Sequence, residues 1–158
     1  MMKSSFTLTK LDKNNLVLKD YKKKIKKMLE IFLQLEEIKT SRVFCPEITR
    51  VRFCICFCND KTIQEINKQY RNKDCPTDVI TFSLFVDDDN SVVYRKTADL
   101  GEIIVSIETA QRQKKESLEK EILTLILHGI LHLFGFDHLT KKDYDFIVKI
   151  QDKIIGEL

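Results

Sequence analysis

The segment Ile122 to Phe134 constrains this chain most: it is long enough for a helix and apolar on nearly every side. A helix with one apolar stripe can lie on a domain surface, but one that is apolar all round must be covered all round. The segment is therefore expected to run through the middle of the domain, against a sheet. Ser117 stands where an N-cap would accept from the free N–H groups of the first turn, and Glu119 and Glu121 suit the positive end of the helix dipole. Gly135, just beyond the run, suits a left-handed C-terminal stop.

The rest of the chain supplies elements to cover that helix. Val51, Phe53, Ile55 and Phe57 alternate with Arg52, Cys54, Cys56 and Cys58, the period of a strand covered on both faces. Asp78 to Val86 reads as a second strand with Ile80, Phe82, Leu84 and Val86 on one face, Ser91 to Arg95 as a short strand, and Gly101 to Ile107 as a further alternating one. Tyr21 to Ile38 places Ile25, Met28, Leu29, Phe32 and Leu35 at helical steps. Asp60 reads as the N-cap of a helix that carries Ile63, Ile66 and Tyr70 and ends near Arg71. Glu108 to Lys115 reads as a short polar helix or turn, and Thr140 with Asp143 as a capping box opening a final helix to Ile155. Met1 to Asn15 reads as a polar leader. The expected fold is α+β: a small mixed sheet of three to four strands packed with about five helices, the central buried one carrying metal ligands.

Neither repeats nor linkers divide the chain, so residues 1–158 are expected to form one domain, a length that buries ~70% of the unfolded surface. Hydrophobic residues at 43%, with only four Gly and two Pro, exclude fibrous and disordered classes. No stretch approaches the ~18 consecutive apolar residues of a membrane span, and the polar start lacks a secretory core, so the cytoplasm is the expected location. A formal charge of +3 does not demand a polyanion partner. Six lysines between Lys19 and Lys27 form either a solvated helix face or a strip that tracks phosphates. Cys54, Cys56 and Cys58 share one strand face; side chains ~6.6 Å apart are too spread to converge on one tetrahedral ion, so they read as reduced thiols without an assigned role.

All three histidines fall within His128-Gly-Ile-Leu-His132-Leu-Phe-Gly-Phe-Asp-His138. On a helix, positions four apart differ by ~40° in direction and ~6 Å in rise, so His128 and His132 can reach one ion. Once Gly135 turns the chain back, His138 can present a third nitrogen, leaving the fourth tetrahedral position of a zinc ion for water. Such an ion lowers the pKa of bound water from ~15.7 to ~7. The plainer alternative is three core histidines, each donating to a backbone carbonyl. Two imidazoles inside an apolar helix cost ~1–3 kcal/mol each if unsatisfied, which favours a shared metal. The spacing H-x-x-x-H-x-x-G-x-x-H also matches metzincin proteases, except that their general-base Glu is Gly129 here.

The histidine segment follows the signature H-G-x-L-H-L-x-G-Y/F-D-H. Tyr70-Arg71-Asn72-Lys73-Asp74-Cys75-Pro76-Thr77-Asp78-Val79-Ile80-Thr81-Phe82 is similar to Y-R-x-K-D-x-P-T-D-V-L-S-F, and Leu100-Gly101-Glu102-Ile103 to L-G-D/E-I. On these blocks, about half the chain, it resembles the YbeY family of ribosomal RNA maturation endoribonucleases. Thr81 stands for the usual Ser and Ser83 for a frequent Pro, and the N-terminal third matches only in pattern. The resemblance implies an α+β fold with a metal between helix and sheet. It implies metal-dependent cleavage of single-stranded RNA in ribosomal RNA processing and ribosome quality control, with ribosomal RNA or the small ribosomal subunit as partner and neither membrane nor DNA. It makes His128, His132 and His138 the ligands of one Zn2+ per chain, and Arg71 the catalytic or phosphate-holding residue, since a guanidinium can hold two phosphate oxygens. Asp137 could orient an imidazole, and Asp78 and Glu102 could order loops or act as bases, with structural roles preferred for all three. Two rival readings are a zinc metalloprotease-like hydrolase and a non-catalytic ribosome-assembly factor with a structural zinc.

Overall fold

The computed structural model describes residues 2–84 and 96–158. Its elements are β1 (Lys3–Lys10), α1 (Leu18–Phe32), two short 3-10 turns (Glu36–Thr40, Arg42–Phe44), β2 (Arg50–Cys58), α2 (Asp60–Arg71), β3 (Val79–Ser83), β4 (Thr97–Ser106), α3 (Ile107–Gln113), α4 (Leu118–Leu133) and α5 (Lys141–Gly156). The fold is α+β, with five helices and a four-stranded mixed sheet among the described residues. Strand order is β1-β2-β4-β3; β1, β2 and β4 run parallel, and β3 is antiparallel to β4.

The period-2 pattern of β2 sorts the core. Val51, Phe53, Ile55 and Phe57 join the large cluster shared with α1, α4 and α5, while Cys56 and Cys58 join Ile63 of α2, Ile80 and Ile104 in a smaller cluster on the other face. Covalent reach does not keep the thiols apart: Cys54 and Cys56 lean together to an Sγ–Sγ distance of 3.5 Å, less than the spacing of their backbone positions, because each side chain turns about its own Cα–Cβ bond. Burial pushes the Cys56 and Cys58 thiols up to about 12, and all five cysteines are free. They are small hydrophobic groups of this layer.

Helix α4 lies against β3 and β4 and is flanked by α1, α3 and α5, which accounts for its apolar circumference. Ser117 accepts from Lys120 N at 3.1 Å at its start. Gly129 sets its distance from the sheet: a Cβ there would stand 2.6 Å from Ile103 Cγ2 of β4. At the other end, Gly135 has φ +87°, its N–H donates to His132 O at 2.9 Å, and Phe136 N donates to Leu131 O at 3.0 Å, the two bonds of a Schellman stop. The capping box of α5 forms between Thr140 and Asp143.

Three expectations need correction. The polar leader contains β1, an edge strand whose Phe6 stacks on Phe53 at 6.1 Å; with one covered face it needs only alternate half-buried residues, a weak apolar signal. The N-cap of α2 is Asn59, which accepts from Thr62 N at 2.9 Å, while the Asp60 carboxylate accepts from Ser106 Oγ, Thr109 Oγ1 and Arg112. Helix α1 stops at Phe32, and Ile38 reaches the core from a 3-10 turn, which keeps the apolar spacing without one continuous helix. The expected strand Ser91 to Arg95 and the end of the Asp78 to Val86 strand lie outside the described residues.

Candidate metal centre

Half-buried His128 and His132 project from one face of α4, with their Nε2 atoms 3.0 Å apart. The Gly135 stop reverses the chain, and the exposed His138 returns to them: its ring centroid lies 5.5 Å from that of His128 and 5.1 Å from that of His132. One nitrogen from each ring lies within 4.8 Å of the other two, and this is the one such cluster of metal-ligating side chains among the described residues. Nitrogens at the ~2.0–2.1 Å of a zinc ion would stand slightly over 3 Å from one another, so small ring rotations complete the set. The donors fit a metal.

Electrostatics keep the donors ready. Burial, reinforced by His132 and His138, pushes His128 down to about 4, and burial also lowers His132. Both rings are therefore neutral at pH 7, the form that ligates. Asp137 Oδ1 accepts from His138 N at 2.8 Å, shaping the return turn, and lies 3.9 Å from Nδ1 of both His132 and His138. Gln151 of α5 donates to Thr124 O at 3.3 Å and stands 3.5 Å from His128 Nδ1.

The histidines open on a cleft of about 570 Å³ whose wall includes Arg71, Asp78, Thr81 and Ser83. Arg71 is the last residue of α2, and left-handed Asn72 (φ +57°) turns the chain behind it. The following loop is tied back to the same helix: Asn67 Nδ2 donates to Cys75 O at 2.9 Å, Lys68 pairs with Asp74 at 2.8 Å, and Gln64 donates to Asp74 Oδ1 at 3.0 Å. Asp78 is engaged structurally, accepting from Val79 N at 2.7 Å and from Gln113 at 3.0 Å. Glu102 does not join the histidines; it pairs across the sheet with Phe82 on the α2 face. Gln151, Thr81 and Ser83 were missed by sequence reasoning. For the last two the signal was present, since they alternate with the core-facing Ile80 and Phe82; for Gln151, a polar position on an amphipathic helix, there was none.

An α+β frame that holds three neutral imidazoles able to share a metal, at the side of an open cleft faced by an arginine, defines a class of metal-binding proteins with room for a substrate. Comparison with known proteins narrows it. The family model for Endoribonuclease YbeY matches residues 7–158. Relatives named Endoribonuclease YbeY include one from Prochlorococcus marinus, 40% identical over 74% of this chain and 66% of its own length. Another, from Ureaplasma urealyticum, is 40% identical over 82% and 83%, and one from Staphylococcus saprophyticus is 35% identical over 96% and 95%. The solution structure of TM1509 from Thermotoga maritima superposes with a TM-score of 0.54 at 29% identity, covering 97% of this chain and 91% of that one. The chain belongs to the YbeY endoribonuclease family.

Proposed function

We propose that this chain is a zinc-dependent endoribonuclease that cleaves single-stranded RNA in the cytoplasm during ribosomal RNA maturation and ribosome quality control, acting on ribosomal RNA or the small ribosomal subunit. His128, His132 and His138 hold the zinc, one per chain, and Arg71 is the catalytic residue. The observation that carries the reading is the shared cleft: the three ring nitrogens and the Arg71 guanidinium face the same space. When bound, the zinc supplies Lewis acidity toward the phosphodiester and lowers the pKa of a coordinated water. Arg71 holds phosphate oxygens in a bidentate grip and offsets charge that develops during cleavage. Gln151, whose amide lies 3.5 Å from His128 Nδ1, is the side chain placed to orient that ring if its other nitrogen were given to a metal.

Gly129 speaks against the protease reading. That position faces Ile103 rather than the cleft, so the packing that places the histidines has no room there for a general base. The open cleft beside three donors speaks against a purely structural zinc, whose site would be closed by a fourth protein ligand. Arg71→Ala tests the assignment: cleavage of single-stranded RNA should fall about 10²- to 10³-fold while zinc content stays unchanged. Parent-level cleavage by the variant would remove Arg71 from the chemistry.

A further inference from the structure

On the sheet face opposite the histidines, register places Cys54, Glu102 and Phe82 side by side across β2, β4 and β3. The Phe82 ring meets Tyr70 of α2 edge-on, with centroids 5.1 Å apart. Tyr70 is nevertheless 62% exposed and Leu84 67% exposed, large apolar groups left in water at the same groove. With Gln69, Glu102 and Ile104 they bound a groove of about 470 Å³, within the range of small-molecule sites.

This groove and the metal cleft share their walls. Alternate residues of β3 and of the position just after it divide between them, Thr81 and Ser83 lining the cleft, Phe82 and Leu84 the groove. The last two residues of α2 divide in the same way, Arg71 to the cleft and Tyr70 to the groove. Tyr70 directly precedes Arg71 and β3 is an edge strand of the described sheet, so a nucleic-acid chain held by its phosphate at Arg71 would pass around that edge to bring a neighbouring base to Tyr70. The groove's chemistry suits a base better than a phosphate: the Glu102 carboxylate repels anions and only accepts hydrogen bonds, while an aromatic face stacks any base.

We infer that this groove is a nucleobase subsite, in which the base flanking the scissile phosphate stacks on Tyr70 and offers its donor edge to Glu102. The inference rests on the ribonuclease reading proposed above. Guanine fits best, because N1–H and the N2 amino group present adjacent donors to the two carboxylate oxygens. Uracil offers a single N3–H between two carbonyl oxygens, which the carboxylate repels.

The test uses the zinc-loaded protein and short single-stranded RNAs in which 2-aminopurine, whose fluorescence falls on stacking, replaces each base in turn. One position beside the cleaved bond should be quenched on binding. Tyr70→Ala should abolish that quenching and weaken binding about 5- to 100-fold, with zinc content at the parent level, and Tyr70→Phe should keep both properties. At the same position guanine should be preferred over uracil about tenfold, and Glu102→Gln should erase the preference. Tyr70→Ala with unchanged quenching and affinity overturns the subsite. So does a changed molecular mass with untouched RNA binding, which would make the groove a contact between copies of this chain. A parent that cuts RNA but shows neither effect overturns the subsite alone, whereas a parent that binds no RNA overturns the ribonuclease reading and the subsite with it.

Discussion

Replacing Gly129 with alanine probes how packing sets the site. The added Cβ would begin 2.6 Å from Ile103 Cγ2 and 2.9 Å from Cδ1 and Cγ1. Ordinary carbon contacts need ~3.5 Å, so α4 and β4 must part by about 1 Å. Ile103 is fully buried and has nowhere to turn. Overpacking of this kind costs about 1–3 kcal/mol, and the better helix propensity of alanine returns about 1 kcal/mol. The net loss of about 1 kcal/mol corresponds to a melting temperature lower by about 2–4 °C for a chain of this size. Thermal melts of metal-free Gly129→Ala, Ile103→Ala and the double variant would measure it. Ile103→Ala alone should cost about 2–5 kcal/mol, and the double variant about 1–2 kcal/mol less than the two single losses together. A melting temperature raised by Gly129→Ala, with strictly additive losses, would refute the contact and with it the structural argument against a base at this position.

Other consequences concern the histidines and their turn. Unfolded imidazoles titrate near 6.5, whereas His128 titrates at about 4 and His132 is also lowered, so below pH ~6.5 the unfolded chain takes up more protons. The stability of metal-free protein should therefore be full above ~6.5 and fall as the pH drops toward 4; urea titrations that show stability rising over that window would contradict the burial of these rings. Gly135→Ala forces a Cβ into a left-handed residue at φ +87° and should cost about 1–2 kcal/mol. Because the same turn returns His138, that variant should also release zinc to a competing chelator more readily, and unchanged zinc affinity would uncouple the turn from the site.

The central helix, its Ser117 and Gly135 ends, and the convergence of three histidines were legible because each depends on local spacing: a period of 3.6, a cap, a four-residue step. β1 was not legible, since an edge strand with one covered face and two large apolar residues hides within a polar segment. Asp60 was misread because adjacent Asn59 and Asp60 are both good caps, and only the tertiary placement of Ser106, Thr109 and Arg112 decides between them. The same limit applies around the metal: Gln151 lies 23 residues from His128 in sequence, and only the packing of α5 on α4 brings them together. The role of Gly129 was visible as a missing glutamate, but its cause, the close approach of Ile103, belongs to the fold.

Every role proposed for the cleft depends on metal-dependent RNA cleavage at the histidine cluster. The direct test is zinc content measured alongside single-stranded RNA cleavage, in the parent and in His132→Ala. The parent should hold about one zinc per chain, its cleavage should disappear with a chelator and return with zinc, and the variant should lose both zinc and cleavage. Full-rate cleavage by protein stripped of metal, or by His132→Ala, would contradict that dependence.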